Sequence, residues 1–166
     1  MPLSLQDQAL IKKHEQKTIL FQRKALKNVT PATSDNDVAN ICSFYAAYHA
    51  MRVAILSDPI FNLSEEAIFA QTGWKYMTPE TKYNTHHIGA VSNGKVSGRG
   101  WGQNQVISSL YRNWFNDYDN LYKSSVKARY VEDYSGEILP APRDNYDAAC
   151  AIAQAVSNGS MQWVMK

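Results

Sequence analysis

The chain contains 166 residues, and its 17 basic and 15 acidic side chains give a formal net charge of +2. This length suits one domain with a hydrophobic core and is short for two, so we expect residues 1–166 to form a single domain. The near balance of charge excludes a uniformly basic nucleic-acid or membrane binder. Any basic surface must therefore be local.

The N-terminus has no charged-then-apolar export signal, and no apolar run approaches the ~20 residues that span a bilayer. The two cysteines, Cys42 and Cys150, lie in apolar helical patterns. This placement is typical of buried free thiols in a reducing compartment. We therefore expect a soluble, cytoplasmic protein with unpaired cysteines.

Residues 4–28 are predicted to form the first helix, and its solvent side is basic. The basic residues are Lys12, Lys13, Lys17, Arg23, Lys24 and Lys27. Lysines spread along a helix usually form a solvated face. If this face has a function, it would contact phosphate groups.

The stretch from Asp35 to Phe61 is predicted to be a buried central helix. Apolar or aromatic residues recur every three or four positions, and alanines fill the positions between them. Ser34 or Asp35 can cap its start. The run Ser57-Asp58-Pro59 ends it, because the residue before a proline is disfavoured in the helical region.

This central helix carries polar side chains toward the interior, namely Asn40, Tyr45, Tyr48, His49 and Arg52. Buried polar groups need hydrogen-bond partners. Two interpretations follow. Either the residues form an internal network of tyrosine and histidine, or they line a groove that binds a ligand.

After Pro59, a short helix is predicted from the Ser64-Glu65-Glu66 cap to Thr72-Gly73. Residues 74–102 are then predicted to form one long irregular loop, because glycines interrupt them repeatedly. A loop of this length in a compact domain tends to be functional or mobile.

The loop contains two motifs that we do not interpret as a metal site or as a phosphate-binding loop. His86 and His87 are adjacent, but no Cys, Asp or Glu follows them at ligand spacing, so no metal site is predicted. Glycines near Lys95 and Ser97 lack the strand and the Gly-Lys-Ser/Thr order of a phosphate-binding loop. A weak strand pattern is present only at residues 90–96.

Helical spacing resumes from Asn104 to Tyr134. Weak helix formers at 116–120 predict a break in this segment, which gives two helices rather than one. Arg129 and Asp133 lie one turn apart, a spacing that favours an ion pair.

A last helix is predicted to begin near Asp144 and to end after Asn158-Gly159. The sequence therefore predicts an all-α protein, an up-and-down bundle of four to five helices with one long irregular loop at about 74–102.

Three segments together resemble a branch of the HEPN domain superfamily. The segment from Cys42 to Leu56, in the predicted central helix, resembles that branch's Arg-Ala-Tyr-Tyr-Ala-Met-Phe-His-Ala-Ala helix. Tyr45, Tyr48 and His49 are in register with it. Residues 85–91 resemble its His-Lys-Gly-Leu-Ile loop, and residues 129–134 resemble its Arg-x-x-Ala-Asp-Tyr motif. The three occur in the expected order and span roughly positions 34–158.

The resemblance implies a helical domain that dimerises through its polar face and often works beside a small nucleotidyltransferase-like protein. It also places the chain among toxin-antitoxin or defence proteins that act on RNA. The nucleases of the family carry an arginine shortly before the catalytic histidine, but position 42 is Cys42 in this chain. A thiol cannot replace the forked cation that holds a phosphate, so Arg52 or Arg129 would have to stand in.

Three functions remain as alternatives. The first is a HEPN-like protein that binds RNA or a nucleotide without cleaving it. The second is a metal-independent ribonuclease in which His49 transfers protons. The third is a helical scaffold or inhibitor that acts only through protein contacts, which the ten tyrosines favour.

The candidate catalytic residues are His49, Arg52 and Arg129. The candidate binding residues are Asn40, Tyr45, Tyr48, His86 and His87. No cofactor is expected.

Overall fold

The computed structural model describes residues 3–29, 36–88, 91–92, 95–96, 100–130 and 140–161. Its helices are α1 (Leu5–Val29), α2 (Asn36–Ser57), α3 (Glu65–Thr72), α4 (Gln103–Leu110), α5 (Arg112–Arg129) and α6 (Pro142–Ser157). Short 3₁₀ segments cover Pro59–Asn62 and Pro79–Tyr83, and β1 (Val91–Ser92) pairs antiparallel with β2 (Lys95–Val96). The predicted all-α bundle is confirmed, with four long helices and two of eight residues.

The long helices alternate in direction. His14 contacts His49 while Phe21 contacts Tyr45, so residue numbers rise along α1 as they fall along α2. Arg129 of α5 reaches the same Tyr45, and Tyr111 at the other end of α5 reaches the segment after α2. Both helices are therefore antiparallel to α2.

The helix α2 is the centre of the bundle, as the sequence predicted. It packs against α1, α5 and α6, and 14 of its 22 residues are buried. Ala46, Ala47 and Ala50 are almost fully buried, and their small side chains let the neighbouring helices approach closely. The largest apolar side chains of the core around them are Phe44, Met51, Ile55, Phe61, Tyr118 and Leu121.

Several predicted helix ends are observed. Asp58 accepts a hydrogen bond from the backbone N–H of Ile60 at 3.0 Å, just after α2 ends. Ser64 caps α3, and Gly73 ends it at φ 73°, a backbone conformation that favours glycine. The proposed caps Ser34 and Asp35 lie outside the described residues.

The predicted break at 116–120 is wrong, because α5 is continuous there and the chain turns at Tyr111 instead. Asn116 and Asp117 face solvent, while Tyr118 and Leu121 in the same stretch are fully buried. Packing of these two side chains outweighs the weak helix propensity of their neighbours. Tyr111 is buried, and its hydroxyl donates to Asp58 Oδ2 at 2.7 Å.

The described parts of the long loop are partly regular and contact the bundle. The backbone N–H groups of Gln103 and Asn104 donate to the carbonyls of His86 and His87 at 2.8 and 3.0 Å. Trp101 is buried, and its carbonyl accepts from the Asn84 side chain at 2.6 Å. The glycines at 89, 94 and 98 and the motif residue Ser97 lie outside the described residues.

Across the parts of the chain that the structure describes, no helix is both long and apolar enough to cross a membrane. In the same parts, His, Cys, Asp and Glu side chains form no group of three or more that could hold a metal ion. Cys42 is buried, Cys150 is partly buried, and both are free thiols, as predicted.

We expect Tyr111→Phe to lower the free energy of unfolding by about 1–3 kcal/mol, because it removes a donor to a buried carboxylate. Urea denaturation followed by circular dichroism measures the change. Tyr76→Phe is the matched control, since Tyr76 is half exposed. Equal stability of the Tyr111→Phe variant and the parent protein would contradict this account of the turn.

Candidate functional site

The candidate site lies on the outer edge of α2, between α1 and α5. Tyr45 of α2 stacks on Phe21 of α1 with ring centroids 5.2 Å apart. On its other side, the Tyr45 hydroxyl accepts a hydrogen bond from Arg129 of α5 at 3.3 Å. Tyr45 thus joins the three helices at a point that is only partly buried.

His49, one turn further along α2, pairs with a histidine of α1. The Nδ1 atoms of His14 and His49 are 2.8 Å apart, and the two side chains are 9% and 6% exposed. One Nδ1 must donate while the other accepts, because two lone pairs or two N–H groups would repel. The pair therefore holds one proton between these two atoms.

Both imidazoles are neutral near pH 7. Burial, followed by the charges of Arg52, Lys17 and Lys13, lowers the pKa of His14 to about 4. Burial, followed by neighbouring His14 and cationic groups, lowers the pKa of His49 to about 3. A base with so low a pKa is poorly matched to proton transfer at neutral pH, where the best catalytic pKa lies near the working pH.

Arg52 is buried beneath the loop rather than presented to a ligand. It is 2% exposed, and its Nη1 donates to the carbonyl of Asn84 at 2.9 Å. Its Nε has no hydrogen-bond partner among the described residues. Burial lowers the pKa of its guanidinium. A phosphate could reach this group only if the loop moved away.

The same loop is tied to α2 and α1 by further polar contacts. The Tyr48 hydroxyl donates to the carbonyl of Thr85 at 3.1 Å. Lys82 and Tyr83 each donate to a carboxylate oxygen of Asp7 at 2.9 Å, and Asp7 and Lys82 are buried. Burial alone would raise the pKa of Asp7, but hydrogen bonds led by that of Lys82 bring it below its ordinary value.

The two adjacent histidines of the loop have different surroundings. His86 is exposed, whereas the ring of His87 packs against Phe44 and Tyr48 at centroid distances of 5.2 and 4.7 Å. The Nδ1 of His87 is buried without a hydrogen-bond partner in the described structure. Burial and then the positive charge of Arg129 lower its pKa.

Arg129 is held between two tyrosine rings. Its guanidinium carbon lies 5.9 Å from the ring centroids of both Tyr45 and Tyr130. Its Nε and Nη2 donate to the carbonyl and the hydroxyl of Ser125, each at 3.1 Å. Asp133, the predicted ion-pair partner, lies outside the described residues. Arg129 is half-buried and Tyr130 is 60% exposed, so this cation is accessible.

Lysines of α1 extend the same surface. Lys13, Lys17, Phe21 and Lys24 follow one another at helical spacing on one side of α1. The ammonium of Lys24 lies 5.5 Å from the ring centroid of Phe21. We call this region the Tyr45 surface, and its members are Lys13, Lys17, Phe21, Lys24, Tyr45, Arg129 and Tyr130.

Asn40 is not part of the Tyr45 surface. Its side-chain oxygen accepts a hydrogen bond from Asn145 of α6 at 2.9 Å, so it serves the contact between α2 and α6. Of the other predicted site residues, Tyr45 and Arg129 meet directly. His49, Tyr48, Arg52 and His87 lie beneath or beside them, and His86 points away into solvent.

Sequence reasoning missed the partner of His49. His14 belongs to a buried stripe of α1 with Asp7, Thr18 and Ala25, at spacings of seven, four and seven. Three polar residues on a buried stripe are a signal that the α1–α2 contact is partly polar. The partner itself could not be identified, because the two histidines lie 35 positions apart in the sequence and local spacing does not show their proximity.

Comparison with known proteins gives no match to any family model, curated protein or solved structure. The function is therefore inferred from the chemistry of the residues described above.

We expect the stability of the protein to fall at mildly acidic pH because of the His14–His49 pair. The folded pKa values of about 4 and 3 lie below the ordinary 6.5, so the unfolded chain takes up protons first. The free energy of unfolding should decrease as the pH drops below about 6.5, by up to about 1.4 kcal/mol per pH unit for each imidazole.

Denaturant unfolding between about pH 7 and pH 5 measures this slope. The variant His14→Asn/His49→Asn keeps an amide pair that does not titrate, and its stability should depend less on pH. His86→Asn, at an exposed histidine outside the pair, is the control for a His-to-Asn substitution as such. An unchanged slope in the double variant would show that the pair does not govern acid stability.

Proposed function

We propose that this protein is a HEPN-like helical domain that binds single-stranded RNA or a nucleotide through the Tyr45 surface and does not cleave it. The observation that carries the proposal is the accessible Arg129 guanidinium, fixed between Tyr45 and Tyr130. The toxin-antitoxin or defence setting comes from the resemblance and belongs to the same proposal.

Charge supports this proposal. The Tyr45 surface combines Arg129 with three lysines of α1, while the whole chain carries a net charge of only +2. This surface therefore groups four cations with no acidic residue among its members, as expected for contacts to a phosphate backbone. Arg129 already has its orientation fixed by Ser125 and Tyr45, so little side-chain entropy is lost when it binds an anion.

Aromatic side chains supply the second element of such a site. Tyr130 is largely exposed, and Phe21 and Tyr45 are partly exposed beside it and Arg129. Bases of single strands stack on aromatic rings, and each stacking contact contributes about 1–3 kcal/mol. A row of rings bordered by cations suits a single strand better than a rigid duplex.

The environment of His49 and Arg52 favours binding over cleavage. His49 is buried against His14 with its pKa at about 3, and Arg52 is occupied by a loop carbonyl. Neither group can reach a phosphate at the surface in this arrangement. The missing arginine at position 42 agrees with that conclusion.

A metal-independent ribonuclease remains the second candidate, and a specific observation favours His87 rather than His49 for it. Burial and then the positive charge of Arg129 lower the pKa of His87, and its Nδ1 has no partner among the described residues. An imidazole beside an accessible guanidinium is the minimum set for proton transfer next to a held phosphate.

The homodimer and the nucleotidyltransferase-like partner implied by the resemblance stay part of the proposal. The third interpretation is a scaffold or inhibitor that uses only protein contacts. The salt dependence of binding affinity distinguishes it from an RNA-binding protein. RNA bound through phosphate contacts loses affinity steeply as salt rises, whereas an apolar protein contact does not.

We expect Arg129→Ala to weaken binding of a fluorescently labelled single-stranded RNA and to reduce the salt slope of binding by about 0.7. Fluorescence anisotropy titrations at several salt concentrations give both quantities. Arg112→Ala is the matched control, because Arg112 is an exposed arginine at the other end of α5. Equal losses in the two variants, or no binding by the parent protein at low salt, would rule out the proposed site.

We expect no cleavage of the same RNA by the purified protein at neutral pH, because His49 and Arg52 are buried. Gel analysis after prolonged incubation tests this. Cleavage by the parent protein that is lost in His87→Ala and kept in His49→Ala would establish the ribonuclease alternative. If His49→Ala and His87→Ala both abolish cleavage, the buried His49 takes part in the reaction, and the loop must then open to expose it.

A further inference from the structure

A second surface of the bundle is an open groove on the opposite side of α1 from the Tyr45 surface. It has a volume of about 700 Å³ and lies between α1 and α6, with α2 as its floor. Its lining is mainly apolar and includes Ile11, Ile19, Val53, Ala153 and Val156. We call it the α1–α6 groove.

The length and lining of the groove match those needed to bind an α-helix. Its α1 wall runs from Ile11 to Gln22, which is about 17 Å at 1.5 Å per residue, or three helical turns. Ala50 and Ala153 are small, so an incoming backbone can approach the floor closely. The groove is open to solvent, unlike the enclosed pockets that bury most of a small ligand.

Apolar side chains continue from the groove onto the exposed side of α1. Ile19 and Leu26 are 50% and 41% exposed, and they share a stripe of α1 with Lys12 and Arg23 at helical spacing. Exposed apolar side chains that adjoin one another mark interaction surfaces more often than isolated ones do. Ile19 belongs to both the groove and this stripe, so the apolar lining continues onto the exposed side of α1 between Lys12 and Arg23.

The charges along this stripe define the complementary partner. Lys12 and Arg23 are exposed, and neither pairs with a carboxylate in the described residues. Among the described residues that line the groove, Glu15 is the only charged one. A partner therefore gains from acidic residues facing Lys12 and Arg23, with a neutral or basic residue opposite Glu15.

We propose that the α1–α6 groove binds an amphipathic α-helix of a protein partner, whose aliphatic face enters the groove and whose acidic edge faces Lys12 and Arg23. This is the helix-in-groove mode, in which apolar residues at i, i+3, i+4 and i+7 provide the contacts. A second copy of α1 does not fit, because its exposed side is also basic. The site is separate from the Tyr45 surface and does not depend on RNA binding.

Two synthetic peptides test the proposal, each about 14 residues long and therefore about 21 Å as a helix. Both carry the same leucine face, and one has glutamates and the other lysines along one edge. Fluorescence anisotropy with the full chain should show that the glutamate peptide binds at least about tenfold more tightly than the lysine peptide.

Variants on α1 separate the two surfaces. Lys12→Glu/Arg23→Glu should weaken binding of the glutamate peptide about tenfold and leave RNA binding within about threefold, because successive residues of a helix project about 100° apart, so Lys12 and Arg23 point away from the side of α1 that carries Lys13 and Lys24. Lys13→Glu/Lys24→Glu, on the other side of the same helix, should weaken RNA binding and leave binding of the glutamate peptide nearly unchanged. If the protein does not bind RNA, the peptide experiment still tests the groove, because the groove does not depend on RNA binding.

A steric variant tests whether the peptide occupies the groove itself. Ala153→Trp fills the groove and should abolish peptide binding, whereas Ala151→Trp places the same side chain on the exposed side of α6 and should not. Circular dichroism melting confirms that both variants fold. If Ala153→Trp is destabilised, bulky alkylation of Cys150, which also lines the groove, provides the same block.

Several results would overturn the proposal. These are equal binding of the two peptides, binding of neither, or binding that persists after the groove is filled. Self-association of the chain that competes with the glutamate peptide, seen by analytical ultracentrifugation, would assign the groove to a second copy instead.

Discussion

The burial of α2 against three other helices is the constraint on which the rest of this structure depends. Because α2 carries tyrosines, a histidine and an arginine on one edge, these groups must find partners inside the protein. Three elements supply these partners. His49 pairs with α1, Tyr45 with α5, and Tyr48 and Arg52 with carbonyls of the loop. The long loop is therefore fixed by the polar edge of α2.

This arrangement divides the polar residues into an inner and an outer group. The inner group is desolvated and surrounded by cations, which keeps both imidazoles of the His14–His49 pair neutral near pH 7. The outer group, around Tyr45 and Arg129, remains accessible and basic. Binding chemistry is therefore expected at the surface, while the buried histidines contribute mainly to packing.

Helix α1 separates the two surfaces for which we propose roles. Its inner stripe packs on α2, one flank carries the lysines beside Phe21, and the other borders the groove against α6. The basic residues that look like a single solvated face in the sequence are divided between these flanks. A domain built in this way could hold a nucleic acid and a protein helix at the same time.

The all-α class, the central helix, the short capped α3 and the approximate ends of α1 and α6 were all predicted correctly, because these features depend on local spacing and capping. Tertiary structure decided the rest. The turn at Tyr111 depends on a hydrogen bond to Asp58, which is 53 residues away, and Arg129 reaches Tyr45 across 84 residues. Local periodicity shows which side of a helix is buried, but not which residue of another helix it meets. For that reason Arg52 could be suggested from the sequence as a phosphate ligand, and only the packed loop revealed that its guanidinium is enclosed.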